Sequence, residues 1–423
     1  MELERVSGGG VGDFYYHGRH PSGLEIFLYP KERCSTTYAI FGTRYGSVDN
    51  CFQRSDEAAP EQVPEGIAHY LEHKLFESED GDAFARYART GASANAYTSF
   101  ETTSYLFSCS DHLYESLEIL LDFVQSPYFT KETVAKEQGI IGQEIKMYDD
   151  DPQWQVMFQY LQAMYHAHPI RQDIAGTVES IAQITPEYLY RCYDTFYNLG
   201  NMALVLAGKF DVDRVLELCD KMLKPSAPVT VRRVFPEEPD QVAAHSVEDV
   251  LSVSIPLFQF GYKLPGAQRR GEEELAAMEV LLEVMASQAS PLFRNLMDRG
   301  LINESSFGYE FFEGTGFATV IFSGESREPA TVASAITKEF TRLRKEGISP
   351  VSFECARRAL YGENLSALNS TANIANGILN LALKGRELFT YLHALENLTI
   401  DQVTAQLNAL PLEEHVLSVI WPL

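Results

Sequence analysis

The chain changes character once, after Leu223, and then begins again. Residues 224–241 read KPSAPVTVRRVFPEEPDQ, proline-rich and without helical or strand period, as expected of a connection and not of a packed element. Before it, β-rich runs between Ser22 and Gly46 suggest paired antiparallel strands, and a helix is predicted from about Pro64. Further helices fit 82–89, 112–125, 131–148 and 152–165, around a strand pair at 92–98 and 103–108 and a last strand at 201–207. After the connection the order returns: a strand-like stretch at 251–262, helices from Glu272 and Ser290, a strand pair within 305–322, several helices and a last strand at 415–420. One stretch matches locally, TVAKEQGIIGQEI at 133–145 over FECARRALYGENL at 353–365, with a shared glycine. The simplest account is α+β, two homologous domains at 1–223 and 243–423 joined by a linker at 224–242.

Charge narrows the partners. Over 423 residues, 34 Lys+Arg against 59 Asp+Glu give a net charge of −25, with no basic cluster. Nucleic acid and anionic membrane surfaces need cations to neutralise phosphate, so neither is expected as a partner. A hydrophobic content of 45% with 22% charged residues is that of a folded protein. The six cysteines show no C-x-x-C pair and read as reduced, mostly buried thiols. The acidic start MELERVSGGG does not resemble a secretion signal, and no apolar run is long enough to span a bilayer, so a cytoplasmic protein is expected.

Residues 69–73 read His-Tyr-Leu-Glu-His within the first predicted helix. At about 100° per residue, His69, Glu72 and His73 fall at roughly 0°, 300° and 40°, all on one face. Two imidazoles one turn apart can grip a single Zn2+, and the carboxylate beside them can act as base on a water the metal activates. A catalytic zinc needs a third protein ligand. The helix at 131–148 offers Glu137 and Glu144, seven residues apart and so about 20° from one another around the axis. Glu144 is the better ligand candidate, lying among Ile140, Ile141 and Ile145, where an unpaired carboxylate is costly. Glu137 would then orient an imidazole from behind. His166 and His168 precede a proline in a loop and read as surface residues.

The segments GIAHYLEHKLFE, GASANAYTSFETTSYLFS and EQGIIGQEIKMYDDDP, in this order, resemble the M16 metallopeptidases, the inverted zincins that include pitrilysin, insulin-degrading enzyme and the mitochondrial processing peptidase, and most nearly the bacterial two-domain YmfH type. The resemblance is continuous over the first half and fainter over the second. It implies mostly antiparallel sheets with helices on one face, the two domains making half of a clamshell. It implies Zn2+ held by His69, His73 and Glu144, with Glu72 as general base and Glu137 in support. It further implies that 92–98 is an edge strand pairing with extended peptide substrate, with Asn95 holding the scissile backbone and Ala94 and Ala96 leaving room for it. The expected activity is hydrolysis of peptides or unfolded segments in an enclosed chamber.

One departure bears on partners. Active members of the family carry an Arg and a Tyr, spaced L-R-x-x-x-x-L-x-Y, in the C-terminal domain that closes over the zinc. The matching stretch at 292–304, LFRNLMDRGLINE, has Met297 in place of Arg and Glu304 in place of Tyr, with Arg294, Arg299 and Tyr309 nearby but off register. Oxyanion-stabilising donors contribute about two to three powers of ten in rate. The expectation is therefore a zinc-bearing subunit of a heterodimer whose homologous partner supplies that pair, with a homodimer as the variant. The contrasting reading is a non-catalytic M16-like scaffold.

Overall fold

The computed structural model describes residues 1–423 except Asp80, Ser226, Pro228, Ala267 and Gln268. Its first sheet has strands β1 (Glu4–Ser7), β2 (Phe14–Arg19), β3 (Glu25–Pro30), β4 (Thr37–Thr43), β5 (Ser93–Thr98), β6 (Thr103–Cys109) and β7 (Met202–Gly208), in the spatial order β1-β2-β3-β7-β4-β6-β5. The second has β8 (Ser246–Leu251), β9 (Leu257–Leu264), β10 (Gly308–Gly314), β11 (Phe317–Glu325) and β12 (His415–Pro422), in the order β8-β12-β9-β11-β10. The two sheets share a plan. In the first, β7 runs parallel to β3 and antiparallel to β4, and β6 and β5 follow antiparallel. In the second, β12 runs parallel to β8 and antiparallel to β9, followed by antiparallel β11 and β10. The likeness between the halves suggested by one short sequence match thus extends to strand order and direction.

β3 and β4 are not paired with each other, as the sequence suggests, because β7 lies between them. The reason is in β7 itself: all seven residues of MALVLAG are buried, a pattern that fits only the interior of a sheet covered on both sides. Likewise the expected strand 251–262 divides into β8 and β9, separated by Ser252–Pro256.

The helices include α1 (Ile67–Leu75), α2 (Lys131–Asp149), α3 (Pro152–Met164) and α4 (Thr371–Leu383). Two compact units result, and neither is contiguous in sequence. One comprises Met1–Ile145, Asp173–Val234 and Leu365–Phe389, and the other Lys146–Gln172, Phe235–Asn364 and Thr390–Leu423. The division therefore differs from halves at 1–223 and 243–423 by two segments that carry α3 and α4.

In the first unit α4 lies on β7 and β4. Its Leu379 sits where a side chain on Gly42 would be, Arg44 donates to the carbonyls of Leu383 and Ala382 at its C-terminal end, and Tyr97 donates to the Asn376 amide oxygen. In the second unit α3 lies on β12 and β9 in the same manner, with Tyr160 against the Thr319 hydroxyl (2.6 Å) and Ser418 donating to the Val156 carbonyl (3.0 Å). Strand alternation puts Thr319 and Ser418 on the face opposite Val320, Phe322 and Val419, which join the main core with the helix Glu272–Ala286. α3 thus covers one face of the second sheet and the helix Glu272–Ala286 the other.

The expected linker is anchored in both units. Val231–Arg233 pairs antiparallel with Cys51–Arg54, and the Arg233 guanidinium is ion-paired with Asp49, which is 1% exposed. In the second unit, Glu238 accepts from the backbone amides of His166, Ala167 and His168 and from the buried Lys263. Ser226 and Pro228 of the linker lie outside the described residues. Among those described, no helix is long and apolar enough to cross a membrane.

Candidate metal centre

α1 is short and nearly enclosed. Ile67, Tyr70, Leu71 and Leu75 enter the core, and the Tyr70 hydroxyl donates to the Val134 carbonyl on α2. The helix begins at Ile67, later than the expected Pro64, because Gly66 adopts a left-handed conformation (φ 83°). Any Cβ at Gly66 would strike the Ala175 carbonyl, so glycine both ends the preceding turn and lets α1 seat against that loop.

With the core side of α1 fixed, His69, Glu72 and His73 turn toward α2. His69 Nε2 lies 3.7 Å and His73 Nε2 3.4 Å from the two oxygens of Glu144, and the three ligand atoms all fall within 4.8 Å of one another. Two donors bound about 2.0–2.1 Å from one tetrahedral ion are separated by about 3.4 Å, so these spacings suit a shared cation. Behind His73, Glu137 Oε1 is 3.1 Å from Nδ1, an arrangement that fixes the ring and directs Nε2 forward. His69 Nδ1 is buried without a partner among the described residues, so one imidazole is braced and the other is not.

Glu72 is 8% exposed, and the Thr98 hydroxyl at the end of β5 donates to its Oε2 at 2.6 Å. Burial pushes the Glu72 carboxyl above its ordinary range, opposed in turn by His69, the Thr98 hydrogen bond and His73. For His73 burial works against the charged ring, but its hydrogen bonds to Glu137 and Glu144 outweigh this and raise it to about 10. Burial likewise raises Glu137, yet contact with His73 brings it below the usual carboxylate range.

A cavity of about 560 Å³ opens beside these groups, lined by Glu72, His73 and Glu137 on the helices and by Asn95 and Ala96 on β5. β5 is an edge strand. Asn95 is exposed, with its side-chain oxygen accepting from the Ala96 amide, while Ala94 is outside the cavity wall. No spacing in the sequence links Thr98 to Glu72, and none marks Phe84, an exposed side chain lining the cavity; Ile140, expected among the apolar neighbours of Glu144, is likewise exposed and lines the cavity. His168 is not a surface residue as expected: it is 1% exposed, with Nε2 on the Thr315 carbonyl and Nδ1 accepting from the Ile170 amide. Of the cysteines, Cys109, Cys192 and Cys219 are buried, Cys34 and Cys51 half-buried and Cys355 exposed, all as free thiols.

Residues 59–178 match the family model described as Insulinase (Peptidase family M16), and 183–360 match Peptidase M16 inactive domain. The uncharacterized zinc protease YmfH of Bacillus subtilis is 40% identical over 395 residues, 92% of each chain. The chain belongs to peptidase family M16. Among solved structures, an M16-like protein from Alicyclobacillus acidocaldarius superimposes on this M16 chain with a TM-score of 0.92 at 34% identity, covering 100% of this chain and 99% of the other. A protein named mitochondrial-processing peptidase subunit beta from Arabidopsis thaliana is 26% identical over 344 residues, 77% of this chain and 63% of its own.

Proposed function

We propose that the protein is a zinc-dependent endopeptidase. The reading rests above all on one observation: three ligand atoms, from His69 and His73 on α1 and Glu144 on α2, lie within 4.8 Å of one another, and the buried Glu72 shares the α1 turn with the two histidines. Relatives named zinc proteases support the choice of metal. His69, His73 and Glu144 would hold the zinc, which when bound would supply a Lewis acid for a peptide carbonyl and for the attacking water. Glu72 accepts the water's proton as the oxygen adds to the carbonyl carbon, and returns it to the nitrogen as the C–N bond breaks. Glu137 keeps the His73 ring oriented. Extended substrate adds to the free edge of β5, with Asn95 on the scissile backbone and small Ala94 and Ala96 admitting close approach.

The peptide is cleaved in a chamber completed by a homologous subunit, forming a heterodimer in which that subunit supplies an Arg and a Tyr. What supports this is the C-terminal half. Met297, where Arg is expected, packs partly buried against the core of its unit, and Tyr309 donates to Glu283. The six unpaired thiols suit a reducing, cytoplasmic setting. Metal analysis with peptide hydrolysis tests the reading: one zinc per chain is expected, with cleavage lost to a chelator, restored by zinc and increased by the homologous partner. A chain that binds no zinc and cleaves nothing, alone or with that partner, is instead a scaffold.

A further inference from the structure

Glu72 has two carboxylate oxygens, and the structure treats them differently. Oε2 accepts the Thr98 hydroxyl at 2.6 Å, and no other described residue donates to this carboxylate. A threonine hydroxyl has a single proton to give, and here it goes to Glu72. The neighbouring hydroxyl across the strand pair, that of Thr103, lies 3.5 Å from the Thr98 hydroxyl oxygen and makes its shorter bond to the Tyr45 carbonyl, at 2.9 Å, so it does not compete for the Thr98 proton. The terminal torsion of a glutamate is broad and nearly two-fold, so without a donor the carboxylate plane in an open cavity is poorly fixed. A short charge-assisted bond selects one plane.

The location of the donor adds a second consequence. Thr98 closes β5, three residues beyond Asn95, and its hydroxyl crosses from that strand to α1. The strand carrying Asn95 and Ala96 to the cavity is therefore tied to the base by one hydrogen bond.

We propose that Thr98 is a positioning residue for the base: it holds Oε2 of Glu72 so that Oε1 stays free to carry the proton between the water and the departing amine. The inference rests on the peptidase reading of the same site. Thr98→Val is close in shape and suited to a strand, and Thr98→Ser keeps the hydroxyl. In zinc-loaded protein, Thr98→Val is expected to lower kcat about ten- to a hundred-fold with KM changed less than about threefold, and Thr98→Ser to restore most of the rate. Zinc content stays at one per chain in both. Crystal structures of the two variants provide a readout independent of turnover: the Glu72 carboxylate turns in Thr98→Val and keeps its place in Thr98→Ser. A Thr98→Val protein with wild-type kcat, or with Glu72 unmoved, overturns the proposal. If the wild type cleaves no faster than Glu72→Gln, the peptidase reading itself falls, while the Glu72 orientation in the Thr98→Val crystal still decides whether Thr98 holds it.

Discussion

Glu137→Gln removes a charge, but not a hydrogen-bond acceptor, from behind His73. In the native site Glu137 Oε1 is 3.1 Å from His73 Nδ1, and the glutamate side chain is only 13% exposed. Removing such a supporting carboxylate weakens metal affinity about 10–100-fold, or about 1.4–2.8 kcal/mol. Glutamine preserves an acceptor, so its effect belongs at the lower end, about tenfold. Glu137→Ala leaves His73 as unbraced as His69 already is and belongs at the upper end, about a hundredfold. No second brace is available to compensate, because His69 Nδ1 has no partner among the described residues. Competition with a chromophoric chelator at fixed pH and ionic strength measures the affinity, and the unfolding midpoint of metal-free protein checks that the fold is retained. A Glu137→Ala protein binding zinc within twofold of wild type would refute the assigned role.

Other consequences concern the scaffold. Glu238→Ala strands Lys263, 4% exposed, and three backbone amides; with the Gln241 carbonyl still accepting from Lys263, the cost is about 3 kcal/mol, seen as lowered thermal stability and faster hydrogen exchange at residues 166–168. Exchange rates matching wild type would contradict it. Burial alone would raise the Glu238 carboxyl, but Lys263 and the three amides bring it below its ordinary value. A depressed folded pKa gives stability that is full above the unfolded value, about 4.3, and is lost as pH falls through the folded one, so the Glu238 contribution should fade below about pH 4.3 and the fall in stability with acid should be smaller in Glu238→Gln. Gly66→Ala forces a left-handed alanine into the Ala175 carbonyl, for a loss of about 2–3 kcal/mol and disturbed zinc binding; an unchanged melting temperature rules that strain out.

The grouping of the candidate site residues is more legible in the sequence than the fold around them, for a physical reason. His69, Glu72 and His73 lie within five residues, and Glu137 and Glu144 are two turns apart on one helix, so local periodicity alone aligns each set. Thr98 was invisible because its contact with Glu72 depends on how a strand end meets a helix. The segments with α3 and α4 group differently in the structure because an apolar helix face shows that it is buried, not against which sheet; Tyr160 on Thr319 and Leu379 over Gly42 decide that. β7 separates β3 from β4 by the same kind of long-range choice. Arg233 and Glu238 fall within the expected linker, and their ion pairs with Asp49 and Lys263 leave no period in sequence.

The central claim is that Glu72 moves the proton at a zinc site it does not itself build. The most direct measurement is the peptide-cleavage rate of Glu72→Gln against wild type, both loaded to one zinc per chain and assayed with the same partner subunit. The account predicts equal zinc content and a rate lower by about a hundredfold or more. Equal zinc and equal rates would contradict it.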